Sequence, residues 1–404
     1  MTTIAAVTTH IVDVPIPEEH RVRSGAGYKL RRQAAFVEVT TDEGVSGYGP
    51  CSFGSASLDL RSVATLCDNT FAPALVGEDA SRIEHLWNKL YFGSITRVHG
   101  YRGVGVAILS AIDIALWDLK GKMLDAPVYE LLGGAFHDPV PCYSSSVYWD
   151  TPEGAARQAR AFLDAGFTRL KVKVGLDVEN DLASLQAVRA EVGDGVDVLV
   201  DANQCYTRHL ALRVGRELEK LDVLLFEEPL PIDDVDGHAF LADKLDVRIA
   251  TGENMYTRWD FLPFLQKGAV HVVQADASRC GGISEAKKIV ELAGAFHAHA
   301  IPHTFSDALT IAANLHVVAA SASAPMIEYD ATYNPIQTAL VTSPPLPRDG
   351  SIPLPAGPGL GVEIDWDFVA AHPYSGEIGI GAGARPAFGL RDERIPDRTA
   401  RSLA

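Results

Sequence analysis

What the chain has little of narrows the field first. Basic residues are in deficit: 35 Lys and Arg stand against 52 Asp and Glu, a formal charge of −17 at pH 7. Nucleic acids and anionic membranes bind to basic surfaces, so neither is an expected partner. An anionic small molecule is not excluded, because a bound dication reverses the field around itself. Cysteine is sparse, with five residues (Cys51, Cys67, Cys142, Cys205, Cys280) and no CxxC pair. An odd, scattered set argues against a disulfide framework and fits a reducing cytoplasm. The opening MTTIAAVTTHIVDVPIPEEH lacks a basic start followed by an apolar run, so no signal peptide is expected. The most apolar long stretch, Val104 to Leu119, contains Asp113 and Asp118 and reads as a buried amphipathic helix instead of a membrane span. Low-complexity segments are absent too.

What remains is ordinary globular material, 47% hydrophobic and 22% charged over 404 residues. That length suits two or three domains, or one large barrel with an appended domain. Residues 1–134 read as a small α+β domain. Alternation around Ile4–Val14 and Ala34–Val39, then the turn Asp42-Glu43-Gly44 before Val45–Tyr48, predicts an antiparallel meander. Helical spacing follows at Leu58–Asn69, Ala80–Tyr91 and Gly103–Met123, the last with Leu109, Ile112, Leu116 and Leu119 on one face.

From about residue 135 to 340 the texture changes. Short apolar runs (Val140–Ser146, Leu170–Val174, Val198–Ala202, Val223–Glu228, Val247–Gly252, His271–Ala277, Ala300–His303, Met326–Tyr329) alternate with amphipathic segments. Some of those segments have visible starts, at Thr151-Pro152 and Ser284-Glu285. Eight strands with seven intervening helices predict a parallel barrel. Residues 341–404 are rich in proline and glycine and are expected to return to the N-terminal domain.

Chemistry is announced by position. Lys173, Asp201, Glu227, Glu253, Asp276, His303 and Glu328 each close a predicted strand, about one β/α unit apart. In a barrel those ends converge on the mouth where active sites are built. Asp201, Glu227 and Glu253 are carboxylates from neighbouring strands that would repel unless a cation joined them. An all-oxygen set with open positions suits Mg²⁺, and no Cys/His set typical of zinc lies nearby. Glu227 and Glu228 are adjacent and should face opposite ways, so spacing alone leaves open which is the ligand. Lys171 and Lys173 alternate with Leu170, Val172 and Val174, which turns both ammonium groups into the barrel. Burial and mutual repulsion should lower their pKa toward a base useful near neutrality. Asp276 and His303 could form a carboxylate–imidazole pair. His297, His299 and His316 sit inside predicted elements and read as structural.

At these residues the chain resembles the enolase superfamily and, within it, the mandelate racemase subgroup. The matching segments are RLKVKVG (169–175), VDANQCY (200–206), FEEPL (226–230), ATGENMY (250–256), QADASRCGGISE (274–285), IPHTF (301–305) and MIEYD (326–330), with SAIDIALWDLKGK (110–122) and PVYELLGG (127–134) at the junction. The resemblance implies a modified TIM barrel, (β/α)7β, under an α+β capping domain made from both termini. It implies Asp201, Glu227 and Glu253 as Mg²⁺ ligands, choosing the first glutamate of the pair. Lys173 is then one acid/base supported by Lys171, and His303, paired with Asp276, is the other. Glu328 hydrogen-bonds the substrate carboxylate as it becomes an enediolate, and Asn203 helps orient substrate.

The expected reaction is α-proton abstraction from a small carboxylate, with dehydration of an acid sugar to a 2-keto-3-deoxy acid favoured. A racemase or epimerase and a sugar-lactone cycloisomerase are the alternatives, and a non-catalytic sugar-acid-binding barrel is the remote one. A cytoplasmic homo-oligomer is expected. Specificity is expected from the cap. The loop His20 to Tyr28 offers Arg21, Arg23 and Tyr28, and Cys51-Ser52-Phe53 offers a second wall through Ser52. A solvated basic loop is the other reading of the same arginines.

Overall fold

The stretch with Asp113 and Asp118 in it forms a helix, Val104–Leu124, whose position organises the rest. The computed structural model describes residues 2–24, 27–51, 58–377 and 379–381. Leu109, Ile112, Leu116 and Leu119 are buried as expected, but so are Ile108, Ala111, Ile114 and Ala115. The helix is therefore covered on nearly every side, not amphipathic, because it lies between the capping sheet and the barrel.

Its two carboxylates are each satisfied by a different part of the chain. Asp113 accepts from the Ser284 backbone N–H (2.9 Å) and hydroxyl (2.6 Å). Asp118 accepts from the backbone N–H of Tyr48 (2.9 Å) and Leu360 (2.8 Å), and pairs with Lys122 at 2.9 Å. Burial still pushes Asp113 up to about 7. The Ser284-Glu285 start is consequently displaced: that helix begins at Gly282, and Ser284 serves Asp113, which caps the helix from outside. The Thr151-Pro152 start holds, with the Thr151 hydroxyl accepting from Gly154 N–H at 3.2 Å ahead of helix Pro152–Asp164.

The cap carries β1 (Ile4–Pro15), β2 (Arg23–Ser24), β3 (Gly27–Lys29), β4 (Arg31–Thr41) and β5 (Ser46–Cys51). Strands β1, β4 and β5 form one antiparallel sheet, with the Asp42-Glu43-Gly44 turn joining β4 to β5. The short hairpin β2–β3 stands apart from it.

The second half supplies β6 (Val140–Val147), β7 (Arg169–Lys173), β8 (Asp197–Asp201), β9 (Val223–Glu227), β10 (Arg248–Thr251), β11 (Val272–Val273), β12 (His299–Ala300) and β13 (Ile327–Asp330). They run β12-β11-β10-β9-β8-β7-β6-β13 with every neighbouring pair parallel. Helices fill each connection, so the architecture is a modified TIM barrel, (β/α)7β, beneath an α+β cap.

Four predicted strand ends move, Glu253 among them, two residues past the end of β10 at Thr251. Strands β11 and β12 hold only two residues each, so Asp276 and His303 stand on loops past them. Asp276 caps a short helical turn, Ala277–Cys280, and Pro302, having no N–H, cannot extend the β12 ladder to His303. Glu328 is the second residue of β13, not its last. After Leu340, β14 (Ser351–Ile352) pairs antiparallel with β6, and β15 (Ile380–Gly381) pairs with β3. Asp13 accepts from Ser375 N–H at 3.0 Å, fixing this segment against β1. Among the described residues no helix is long and apolar enough to cross a membrane.

The capping sheet packs closely on the long helix where β5 lies against it. A Cβ on Gly49 would fall 1.9 Å from the Ala111 carbonyl oxygen, whereas one on Gly195 would meet nothing within 4 Å. Gly49→Ala should therefore lower stability by about 1–3 kcal/mol through overpacking. Gly195→Ala should stay within about 0.5 kcal/mol of the parent. Denaturant unfolding of both variants measures this, and equal midpoints would contradict the packing described.

Candidate active site

Strand β7 sets the first charges. Leu170 and Val172 point to the buried layer under the helices, so the period of two turns Lys171 and Lys173 into the barrel. The Lys171 ammonium lies 3.0 and 3.1 Å from the two Glu227 oxygens, 3.6 Å from Asp201 and 2.6 Å from Glu328. Lys173 donates to Asp201. The lowered lysine pKa values expected from sequence are not found. Burial acts in that direction, but the surrounding carboxylates outweigh it, and both ammonium groups are held above their usual range.

Register places the acids level with one another. Lys173 pairs with Asp201 across β7–β8, and Asp201 with Glu227 across β8–β9. Glu253 follows Gly252, whose φ of +142° and close approach to Gln274 leave no room for a side chain. Oxygens of Asp201, Glu227 and Glu253 lie within 4.8 Å of one another. Burial and the Asp201 charge hold Glu227 well above the carboxylate range, against the opposing effect of Lys171. Three converging carboxylate oxygens, with no sulfur or imidazole among them, fit a hard dication.

Glu228 is the acid that sequence reasoning misplaced. A strand pattern would turn it away, yet it sits just beyond β9 with φ +40°, and the left-handed turn keeps it at the mouth. It accepts from Gln204 (3.1 Å) and Asn254 (3.0 Å), and burial together with Glu253 pushes it well above its usual range. Asn203, also past its strand with φ +41°, does not share a strand face with Asp201. Its backbone N–H donates to Asp201 at 2.8 Å, and its amide oxygen is buried without a partner.

Across the mouth, His303 Nδ1 lies 2.9 Å from Asp276 Oδ2, which leaves Nε2 facing the acids, 3.8 Å from Glu253. The other Asp276 oxygen accepts from Ser278 N–H (2.9 Å), Ser278 hydroxyl (2.7 Å) and Asn314 (3.0 Å). Burial would raise Asp276, but the His303 hydrogen bond and charge hold it below its ordinary value. Asn314 also receives Ala277 N–H at 2.9 Å and escaped notice in the sequence because it lies inside helix Ala308–Ala319. Glu328 accepts from Thr304 N–H at 2.9 Å, and Lys171 and His303 hold it low against the effect of burial. His316 accepts Tyr129 N–H at 3.1 Å deep in the core, and burial lowers it to about 4. Its role is packing.

The cap residues separate. Arg21 donates to the Ile16 carbonyl at 3.1 Å, tying down its own loop. Arg23 lies 6.0 Å from the ring centre of Trp149, which follows β6, so the β2–β3 hairpin does overhang the barrel. Tyr28 and Lys29 alternate along β3, and it is Lys29, absent from the sequence reading, that reaches the barrel: it donates to Tyr148 at 3.2 Å. Ser52 lies outside the described residues.

The geometry agrees with what the chain is similar to. Residues 154–368 match the family described as enolase C-terminal domain-like, and residues 6–133 match the mandelate racemase/muconate lactonizing enzyme N-terminal domain. An arabinonate dehydratase of Saccharolobus solfataricus is 36% identical over 81% of this chain and 87% of its own length. A D-galactarolactone cycloisomerase of Agrobacterium fabrum is 33% identical over 90% of this chain and 97% of its own. A Bordetella bronchiseptica RB50 protein, whose crystal structure is complexed with 2-oxoglutarate/phosphate, is 46% identical with a TM-score of 0.87, covering 93% of this chain and 100% of that one. With both of its domains matched and the barrel-mouth residues in family order, the chain belongs to the mandelate racemase/muconate lactonizing enzyme family of the enolase superfamily.

Proposed function

We propose that this protein dehydrates an acid sugar to a 2-keto-3-deoxy acid by taking the α-proton of a carboxylate substrate. The observation that carries the reading is the pair of proton-transfer groups across one mouth: Lys173 on Asp201, and His303 on Asp276, with the Asp201–Glu227–Glu253 cluster between them. The arabinonate dehydratase relative supports this reaction class. The Bordetella structure with 2-oxoglutarate supports a small carboxylate as ligand.

Asp201, Glu227 and Glu253 would hold Mg²⁺, which when bound supplies positive charge beside the substrate carboxylate. The remaining work falls to side chains. Lys173 would accept the α-proton as the neutral amine, its ammonium proton having passed to solvent once Asp201 had a dication to face. Lys171 meets the substrate carboxylate, and Glu328, taking up a proton as substrate binds, donates a hydrogen bond to it as it gains enediolate character. His303, its tautomer fixed by Asp276, gives a proton to the departing β-hydroxyl, and the enol left behind tautomerises to the keto acid. Asn203, with its free amide oxygen, orients substrate hydroxyls.

The same reading assigns residues 1–134 and 341–404 to the cap and 135–340 to the catalytic barrel. It places the enzyme in the cytoplasm, which five buried, unbridged cysteines suit. Self-association is supported by an exposed aromatic cluster of Phe92, Tyr101 and Trp259 beside Tyr91. A lactone cycloisomerase is the second reading, favoured by the long match to the Agrobacterium enzyme.

Metal removal is the first test. Chelation should abolish turnover and Mg²⁺ should restore it, while Glu253→Gln weakens metal binding with little loss of fold. Full activity of metal-free protein would rule the mechanism out. The two bases give a second test, read by NMR in D₂O together with a 2-keto acid assay. Lys173→Ala should remove both α-proton exchange and product, by about 10²–10⁴-fold or more. His303→Asn should block product yet leave exchange, since the enolate still forms and is reprotonated. Product at wild-type rates in either variant would contradict the assignment. A cyclised lactone without keto acid would establish the second reading instead.

A further inference from the structure

The cap sends one cation into the barrel mouth that the reaction described above does not use. Lys29 is 6% exposed, and its ammonium donates to the Tyr148 hydroxyl at 3.2 Å, just past β6. It also stands 3.7 Å from the centre of the Phe305 ring, two residues beyond His303. Lys171, Lys173 and Arg32 are each paired with carboxylates, Arg32 with Asp330 at 3.0 Å. Lys29 has no carboxylate partner among the described residues. A ring face and a neutral hydroxyl are weak compensation for a desolvated ammonium, and Asp330 and Glu253 act on it only without direct contact. Burial and the neighbouring Arg32 hold Lys29 well below the usual ammonium range, and an arriving carboxylate reverses that.

Position supplies the second argument. The Phe305 ring that Lys29 covers lies 6.3 Å from the His303 ring, and Lys29 feels the charges of Lys173 and Glu253, so it reaches the edge of the site from the cap. Five carbon–carbon bonds of about 1.5 Å carry a six-carbon chain about 6 Å from end to end. A substrate whose first carboxylate lies at Lys171 and whose α- and β-carbons lie between Lys173 and His303 presents its far end to Lys29.

We propose that Lys29 binds the distal carboxylate of the substrate and thereby selects a dicarboxylic over a monocarboxylic acid sugar. This inference rests on the acid-sugar reading. It assigns specificity to β3 itself, not to the arginines of the loop before it.

The experiment compares Mg²⁺-loaded wild type, Lys29→Met and Lys29→Arg on matched pairs: D-galactonate with galactarate, D-gluconate with D-glucarate, and D-mannonate with D-mannarate. Product formation and α-proton exchange are followed for each, with a thermal melt for each variant. Wild type should favour the diacid of the pair it accepts. Lys29→Met should raise KM for that diacid by about 10- to 100-fold, the range for a lost hydrogen bond to a charged group. Its kcat, and KM for the monoacid, should move less than about threefold. Lys29→Arg should recover part of the diacid preference, and serves as the readout if the methionine variant does not fold. A wild-type preference for the monoacid, or equal KM shifts for both members of a pair, would overturn the role of Lys29 alone. Neither exchange nor product from any of the six acids would overturn the acid-sugar reading beneath it.

Discussion

Carboxylates crowded at one barrel mouth repel each other strongly once water is excluded, and the ammonium of Lys171 is what allows them to share the space. It contacts Glu227, Glu328 and Asp201 together from a fully buried position. Charges a few ångströms apart at low effective dielectric interact by several kcal/mol, so removing this one cation would leave the acids uncompensated. Everything else at the mouth is arranged around that balance. Lys173 takes the remaining face of Asp201, and the oxygens of Asp201, Glu227 and Glu253 converge within 4.8 Å of one another.

The barrel delivers this balance by register, and the cap closes it. Parallel pairing sets Lys173, Asp201 and Glu227 at one level on adjacent strands, a geometry no single segment could produce. His303 comes from the far side, carried on a loop that Pro302 keeps out of the sheet and braced by Asp276, Ser278 and Asn314. The helix Val104–Leu124 then holds cap and barrel as one body through Asp113 and Asp118. Without that joint, Lys29 on β3 could not stand against Phe305 and Tyr148. Precision at the site thus depends on two buried aspartates far from it.

The pattern of charges at strand ends was legible because the barrel repeats: one strand and one helix per unit place successive ionisable groups on one rim. That reasoning put Lys173, Asp201 and Glu227 at the ends of their strands, where β7, β8 and β9 do end, though it left the choice between Glu227 and Glu228 as ligand open. It failed where the chain leaves regular structure. Glu228 was assigned the opposite face by strand alternation, whereas its left-handed φ keeps it at the mouth. Asp276 and His303 stand past strands only two residues long, so their proximity is a loop property. Tyr28 was named from composition and Lys29 was passed over, since a three-residue strand gives no hint of which face meets the barrel.

By itself, then, the sequence determined the (β/α)7β rhythm, the acidic rim and the alternation that turns both lysines inward, because these follow from local periodicity. Tertiary structure alone decided three matters. The lysines are held more basic, not less, because the number of carboxylates converging on each depends on neighbouring strands. The apolar helix is covered all round because both the cap and the barrel lie against it. And the cation of the cap that faces the site is Lys29, because a long-range contact with Tyr148 and Phe305 fixes its direction, and contacts across more than a hundred residues leave no trace in local pattern.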